Sequence, residues 1–247
     1  MSKEKIIGKN PVIEVLNSDR KVFSVSILDK LNKKTADEIY EAAKIKNVTV
    51  QRVSRDKLDD LAHGKHQGII ATVESYDYAE LEDLFDLAKS RDELPFFIIL
   101  DEIEDPHNLG AILRTADATG AHGIIIPKRR AVGLTQSVAK TSAGAIEHIP
   151  VVQVTNIVQT IKQLKERFVW VVGTSKEGSE DYRTLDGETA LALVVGNEGK
   201  GISRLVLENC DWTVNLPMVG KIPSLNASVA TSLLMYEIYR KRYPLGG

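Results

Sequence analysis

The run Ala190–Gly201, ALALVVGNEGKG, joins an uninterrupted apolar stretch to a loop with three glycines and a lysine. A continuous apolar run that ends in turn residues is typical of a strand covered on both faces in a parallel sheet. The glycines follow its carboxyl end, where open α/β sheets normally bind ligands. The stretch therefore predicts an α/β fold with a binding loop after this strand.

The spacing of this loop excludes two common nucleotide-binding motifs. A P-loop has four residues between its first glycine and the Gly-Lys pair, whereas two intervene here and Gly201 follows Lys200. The dinucleotide pattern G-x-G-x-x-G has the reverse spacing. Glu198 would repel a phosphate, but it would tolerate a cation or accept a hydrogen bond from a hydroxyl.

The same alternation of apolar runs and helical patterns continues through residues 95–247, which predicts one domain with a mostly parallel sheet. Residues 1–74 alternate helix and strand signals of their own and predict a small α/β domain. Residues 75–94 are acidic, with apolar residues at helical spacing. They predict a linker containing one amphipathic helix.

Composition indicates a soluble cytoplasmic protein. The single cysteine, Cys210, excludes an intramolecular disulfide and fits a reducing compartment. The first residues lack the apolar segment of a signal peptide, and no stretch approaches the 18 apolar residues of a membrane span. Residues 1–73 carry 14 Lys and Arg against 10 Asp and Glu, an excess that suits a polyanionic partner.

A second unusual loop contains Asp105-Pro106-His107-Asn108-Leu109-Gly110 and leads into a helical pattern. Asn108 can cap that helix, and Gly110 would let another backbone or a substrate approach closely. Arg114 lies one turn beyond Gly110 on the same face. The alternative is a capped helix whose arginine pairs with a nearby acidic residue, Asp117 or Glu104.

A third loop spans residues 216–230, LPMVGKIPSLNASVA. Its short polar side chains stand at the start of a helix, where free backbone amides also point outward: Ser224, Asn226 and Ser228. Three of its apolar residues can form a slot for a flat ring: Leu216, Met218 and Leu225. The alternative is a simple helix N-cap formed by Asn226 or Ser224.

Together the three loops resemble the SpoU (TrmH-like) branch of the SPOUT RNA methyltransferases. They match its three motifs in order and spacing: D-P-x-N-x-G-x-x-x-R, G-N-E-x-x-G and L-P-M-x-G-x-x-x-S-L-N-x-S-V-A. The likeness spans residues 95–247. The first domain, with IIGKNPVIEVL and GKHQGIIATV, resembles the family's substrate-binding module, which is similar to ribosomal protein L30e.

The resemblance implies S-adenosylmethionine (SAM) as the methyl donor, an RNA ribose 2′-hydroxyl as the acceptor, and a deep trefoil knot in the last third of the chain. By motif position, the residues implied to line the cofactor are Gly196, Leu216, Met218, Ser224, Leu225 and Thr174. The residues implied to act on the ribose are Arg114, Asn108, Glu198, Ser224 and Asn226.

The family places its motif-one arginine beside the attacking hydroxyl. A guanidinium is a poor general base, so we expect Arg114 to hold the adjacent phosphate and stabilise developing alkoxide charge. Asn108, Glu198, Ser224 and Asn226 would orient it and the ribose. The resemblance also implies a homodimer in which Arg114 reaches across the interface and the final helix contributes to the contact.

The two-domain arrangement resembles bacterial enzymes that methylate a guanosine ribose of 23S ribosomal RNA. The alternatives are a tRNA ribose methyltransferase, an rRNA methyltransferase that confers thiopeptide resistance, or a catalytically silent RNA-binding or assembly factor. The basic run Lys128-Arg129-Arg130 is a candidate phosphate contact, or else a solvated charge run. The five histidines show no i,i+4 spacing on a helix, and we assign no metal site.

Overall fold

The computed structural model describes residues 3–18, 20–62, 66–177, 180–221 and 224–245. The chain forms two compact units, Met1–Asp77 and Tyr78–Gly247. Each unit has its own β-sheet and its own hydrophobic core.

Among its described residues, the first unit is a four-stranded sheet with three helices. Its elements are β1 (Lys3–Ile7), α1 (Lys9–Leu16), β2 (Val22–Leu28), α2 (Lys33–Ile45), β3 (Val50–Val53), α3 (Arg55–Leu61) and β4 (Ile69–Glu74). The strand order is β1-β4-β2-β3, with β4 antiparallel to β1 and β2, and β3 parallel to β2. The sequence pattern does not reveal β1, because KEKII holds too few apolar residues.

The core of the first unit follows the helical and strand periodicities. Val12 and Val15 of α1 are buried against Ile39 of α2, and Val25 and Ile27 of β2 enter the same cluster. Full burial of an aliphatic side chain of this size stabilises a fold by about 1.5–3 kcal/mol. The first unit therefore has a core of its own.

The second unit is a seven-stranded sheet with helices. Its strands are β5 (Phe96–Asp101), β6 (Gly123–Pro127), β7 (Val151–Val154), β8 (Trp170–Thr174), β9 (Glu180–Asp181), β10 (Leu191–Gly196) and β11 (Trp212–Asn215). Its helices are α4 (Leu81–Ser90), α5 (Pro106–Ala118), α6 (Gln136–Ser142), α7 (Ile157–Glu166), α8 (Arg204–Leu207) and α9 (Ala227–Arg242).

The strand order is β7-β6-β5-β10-β8-β11-β9, and every neighbouring pair is parallel. All residues of the adjacent strands β5 and β10 are buried, as expected when helices cover both faces of a sheet. The α/β fold with a mostly parallel sheet is confirmed. The trefoil knot and the likeness of the first unit to L30e stay predictions.

Helix α4 packs as part of the second unit. Leu84 and Ala88 are buried, and Leu84 lies in the same core cluster as Phe97. The sequence predicts a linker over residues 75–94; from Tyr78 onward this segment belongs to the second unit. The reason is that the apolar stripe of α4 covers the sheet. None of the described helices, α4 included, is both long and apolar enough to cross a membrane.

His122 is a fully buried histidine that the fold holds in its neutral form. Its Nδ1 accepts from the Phe96 amide at 3.0 Å, so the proton lies on Nε2, which is 2.9 Å from Glu93 Oε2. Burial lowers the pKa of His122 below its ordinary value of 6.5, although Glu93 acts in the opposite direction. The Tyr243 hydroxyl also donates to Glu93, at 2.9 Å, and thereby ties the end of α9 to this group.

We expect the second unit to lose stability as the pH falls below about 6.5. The folded pKa of His122 is depressed, so acid favours the unfolded chain, whose histidine takes up a proton more readily. His122→Gln keeps a donor for Glu93 but does not titrate, and it should remove part of this dependence. The chain's two tryptophans, Trp170 and Trp212, both lie in the second unit, so their fluorescence reports its unfolding in urea.

The contribution of one titrating group is at most about 1.4 kcal/mol in the free energy of unfolding per pH unit. Urea denaturation at about pH 7.5 and about pH 5.5 measures it for both proteins. The same loss of stability in the His122→Gln variant as in the unaltered protein would contradict the assignment.

Candidate functional site

The loop after β5 starts helix α5 at Pro106. Asp105 Oδ1 accepts from the His107 amide at 2.8 Å, so Asp105 is the N-cap and Pro106 takes the first helical position. The prediction that Asn108 caps this helix is wrong, because the acidic residue three positions earlier already does so. Asn108 lies inside the first turn, where it is buried and its side chain points to another loop.

Gly110 of α5 serves a packing contact. A Cβ at this position would lie 2.6 Å from Thr141 Cβ of α6. The absence of a side chain therefore lets α6 cross α5 at close range. In the described structure the close approach that Gly110 permits is that of a helix.

The loop after β10 closes on itself through its backbone. The Gly201 amide donates to the Asn197 carbonyl at 2.8 Å, and Asn197 Oδ1 accepts from the Gly199 amide at 2.9 Å. Gly201 has a φ of 71°, in the left-handed region that favours glycine. A Cβ on Gly196 would overlap the backbone of Gly201 and Ile202. Glycine is therefore required at position 196 and favoured at position 201.

Glu198 of this loop collects hydrogen bonds from the other two loops. Its Oε1 accepts from Asn108 Nδ2 at 3.0 Å, from the Ala227 amide at 3.1 Å, and from Asn226 Nδ2. Asn226 Nδ2 also donates to Asn108 Oδ1 at 2.9 Å. One carboxylate thus joins the first turn of α5 and the start of α9.

Asn226 is at the same time the N-cap of α9. Its Oδ1 accepts from the Ser228 amide at 3.0 Å and from the Val229 amide at 3.3 Å. The sequence left two alternatives, a simple cap or a functional polar group. The structure confirms the cap and adds a bond to Glu198, because the amide oxygen faces the helix and the amide nitrogen faces Glu198; the functional role stays a prediction.

A cavity of about 360 Å³ lies between the loops after β8, β10 and β11. Every residue that the sequence predicts to contact a cofactor borders it: Thr174, Gly196, Leu216, Met218, Ser224 and Leu225. Glu198 borders it too. The geometry brings these residues together, and their role in cofactor binding stays a prediction.

Several residues of this site were not predicted from the sequence. The loop after β8 adds Lys176 and Glu177 to the cavity wall. Asp101, the last residue of β5, lies opposite Gly196 of β10, and its Oδ2 accepts from the Ser203 amide at 2.7 Å. The signal that could have revealed them is position, since each ends or follows a strand at the carboxyl edge of the sheet.

Arg114 stands apart from this network. It is exposed and forms no hydrogen bond or ion pair with any described residue. It follows Asn108 by six positions on α5, which places the two side chains about 120° apart around the axis and about 9 Å apart along it. Within one chain, Asn108, Glu198 and Asn226 come together and Arg114 does not join them.

The described part of the chain has neither a cluster of metal-ligating side chains nor a reactive thiol. No group of three or more His, Cys, Asp or Glu side chains there is placed to hold a metal ion. Burial raises the pKa of the Cys210 thiol to about 12, so it stays protonated at neutral pH.

Two family models match the chain. The SpoU rRNA Methylase family matches residues 95–236, and the family RNA 2′-O ribose methyltransferase substrate binding matches residues 5–79. The chain belongs to the SpoU methylase family. The SpoU (TrmH-like) resemblance drawn from the three loops is thereby confirmed.

Relatives and solved structures agree with this membership. The chain is 58% identical over 241 residues to the TrmH family tRNA/rRNA methyltransferase YacO of Bacillus subtilis, covering 98% of the chain and 97% of the relative. Among solved structures, AviRb of Streptomyces viridochromogenes in complex with the cofactor AdoMet has a TM-score of 0.62 at 26% identity, over 97% of this chain and 90% of that one.

Two further structures differ in how much of the chain they match. The AdoMet-bound rRNA methyltransferase of Sinorhizobium meliloti has a TM-score of 0.61 at 25% identity, over 96% of this chain and 87% of that one. The TrmH/SpoU tRNA modifying enzyme of A. aeolicus has a TM-score of 0.55 at 30% identity, over 66% of this chain and 85% of that one.

We expect Gly196→Ala to destabilise the second unit by about 2 kcal/mol or more, because its Cβ would overlap the turn formed by Gly201 and Ile202. Urea denaturation followed by tryptophan fluorescence measures the change.

Gly199→Ala is the matched control on the same loop. Its Cβ would lie 3.5 Å from Asn197 Oδ1, an ordinary contact, so the change should stay within about 0.5 kcal/mol. Equal stability of the two variants would show that the loop does not close as described.

Proposed function

We propose that this protein transfers the methyl group of SAM to a ribose 2′-hydroxyl of RNA, and that the RNA is 23S ribosomal RNA. Membership in the SpoU methylase family makes the chain a SAM-dependent RNA methyltransferase. The proposal adds the hydroxyl acceptor and the ribosomal substrate. The observation that carries it is the cavity at the carboxyl edge of the sheet, where Glu198 joins the three motif loops.

The cavity suits SAM in size and chemistry. A volume of about 360 Å³ is within the usual range for small-molecule sites. Its apolar side chains suit an adenine ring, and the Glu198 carboxylate suits a sulfonium cation better than a phosphate. When bound, SAM supplies an electrophilic methyl group. We infer that six residues hold it: Thr174, Gly196, Leu216, Met218, Ser224 and Leu225.

Arg114 is proposed to act on the acceptor. The 2′-hydroxyl loses its proton as its oxygen attacks, so negative charge develops on that oxygen. A guanidinium stays protonated at neutral pH and offers a planar fork of donors, which suits an alkoxide and a neighbouring phosphate. We infer that Arg114 stabilises this charge, while Asn108, Glu198, Ser224 and Asn226 orient the ribose and the arginine.

The free position of Arg114 supports a homodimeric site. Arg114 has no partner among the described residues of its own chain, and the neighbouring Thr115 touches Ser232 of α9 at 3.0 Å. Helix α9 exposes Val229, Leu233 and Tyr236. We propose that a second copy covers this apolar stripe, so that Arg114 completes the partner's site, and that the last third of each chain forms the trefoil knot.

The two-unit architecture supports ribosomal RNA as the substrate. The rRNA methyltransferase of Sinorhizobium meliloti matches nearly the whole chain, whereas the tRNA modifying enzyme of A. aeolicus matches about two thirds of it. Residues 5–79 match a substrate-binding family of RNA 2′-O ribose methyltransferases. We infer that the first unit recognises the RNA and that the enzyme acts in the cytoplasm.

Tritium transfer from labelled SAM to unmodified transcripts of 23S rRNA and of tRNA tests the function. We expect label in the 23S transcript at a position that becomes resistant to alkaline cleavage, because a 2′-O-methyl group removes the attacking hydroxyl. Label only in tRNA would refute the ribosomal substrate. Label that leaves the RNA sensitive to alkali would refute the ribose as acceptor, and absence of transfer despite SAM binding would indicate a silent RNA-binding factor.

Arg114→Ala should lower kcat about 100- to 1,000-fold, because the donor to the developing oxyanion is lost. SAM affinity measured by calorimetry should stay unchanged, since Arg114 does not border the cavity. Arg114→Lys keeps the charge without the planar fork, so its kcat should lie between those of the unaltered protein and Arg114→Ala. Equal loss of SAM binding and of transfer in Arg114→Ala would refute this role.

A further inference from the structure

The loop after β6 carries three consecutive cations, Lys128, Arg129 and Arg130, which form the basic loop. Strand β6 is the direct parallel neighbour of β5, so the basic loop leaves the same edge of the sheet as the loop that starts α5. All three side chains are exposed. A run of like charges on a protein surface is usually solvated and has no further role. The contacts of the basic loop distinguish it from such a run.

The backbone of the basic loop and of the residues that follow it is held at three points. The Lys128 amide donates to the Val154 carbonyl at 2.8 Å, and the Val132 amide donates to the Ile103 carbonyl at 2.9 Å. The Leu134 amide donates to the Tyr78 hydroxyl at 2.9 Å. An exposed basic segment held in this way displays its side chains from a fixed backbone.

Glu102 connects the basic loop to the glycine loop at the cavity. Its Oε1 accepts from Arg130 Nη1 at 3.1 Å, and its carbonyl accepts from Asn197 Nδ2 at 3.1 Å. Glu102 has a φ of 59°, which a non-glycine residue rarely adopts. The strained residue thus holds the basic loop beside the rim of the cavity.

The three cations of the basic loop differ in their partners. Arg130 is paired with Glu102, whereas Lys128 and Arg129 form no hydrogen bond or ion pair with any described residue. The Glu102 carboxylate is therefore already paired with Arg130. Two unpaired cations remain next to the site.

We propose that Lys128 and Arg129 are positioning residues that hold phosphates of the RNA strand entering the site. The inference rests on the proposed function, because it assumes that an RNA ribose reaches the cavity. Phosphates flank every ribose, and Lys and Arg are the side chains that contact RNA phosphates most strongly. Because the backbone is already ordered, little conformational entropy is lost when the RNA binds.

Binding of an in vitro transcript of 23S rRNA, measured without SAM at several salt concentrations, tests the proposal. The Lys128→Ala/Arg129→Ala variant loses two phosphate contacts, so the slope of log K against log salt should become shallower by about 1.4–1.8. The affinity near 0.1 M salt should fall by about tenfold or more. The KM for the transcript should rise, with kcat and SAM affinity unchanged.

Lys162→Ala is the control for loss of charge alone, because Lys162 is an exposed residue of α7 without a partner among the described residues. It should leave the salt slope unchanged. The charge-preserving variant Lys128→Arg/Arg129→Lys should restore most of the affinity. Because the binding assay needs no methyl transfer, it separates this inference from the proposed function. A double variant that binds the transcript with the unaltered slope and affinity would overturn the inference.

Discussion

A single carboxylate holds the site together. Glu198 Oε1 accepts from Asn108, Asn226 and the Ala227 amide, so it joins the start of α5 to the start of α9. Both helix starts carry the positive end of a helix dipole, and hydrogen bonds to a charged acceptor are stronger than neutral ones. A residue without an acceptor at this position would leave three donors converging on one another. The shape of the cavity therefore depends on this carboxylate.

The glycine loop makes the carboxylate available at that point. The turn from Asn197 to Gly201 closes through backbone hydrogen bonds, and Gly196 must lack a side chain for the chain to return so closely. The result is a wall of backbone groups that carries the Glu198 carboxylate and the Lys200 side chain, with apolar side chains opposite. The apolar side chains suit an aromatic ring, and the carboxylate suits the positive centre of SAM.

The sequence predicted most of the second unit because its strands are long apolar runs and α9 begins at a recognisable cap, Asn226. It missed β1 and the two-residue β9, which are short and polar, and it separated α4 from the unit it packs in. The three loops were recognised by their glycines, prolines and polar residues, and their roles were inferred from the family resemblance. Their hydrogen bonds were beyond any local pattern, because Asn108 and Asn226 lie 118 residues apart. The assignment of Asn108 as a cap failed because Asp105 caps α5, which leaves Asn108 free to bond Glu198, 90 residues away.

A double-mutant cycle between Asn108 and Glu198, read as SAM affinity, tests most directly whether the carboxylate acts by joining the loops. Asn108 does not border the cavity, so its effect on SAM must pass through its hydrogen-bond partners, Glu198 and Asn226, and Asn226 is itself bonded to Glu198. The affinity is measured by calorimetry for Asn108→Ala, Glu198→Ala and the double variant. We expect Asn108→Ala to weaken binding on its own and to add nothing in the Glu198→Ala background, a coupling of about 1.5–3 kcal/mol. Losses that simply add in the double variant would contradict the account.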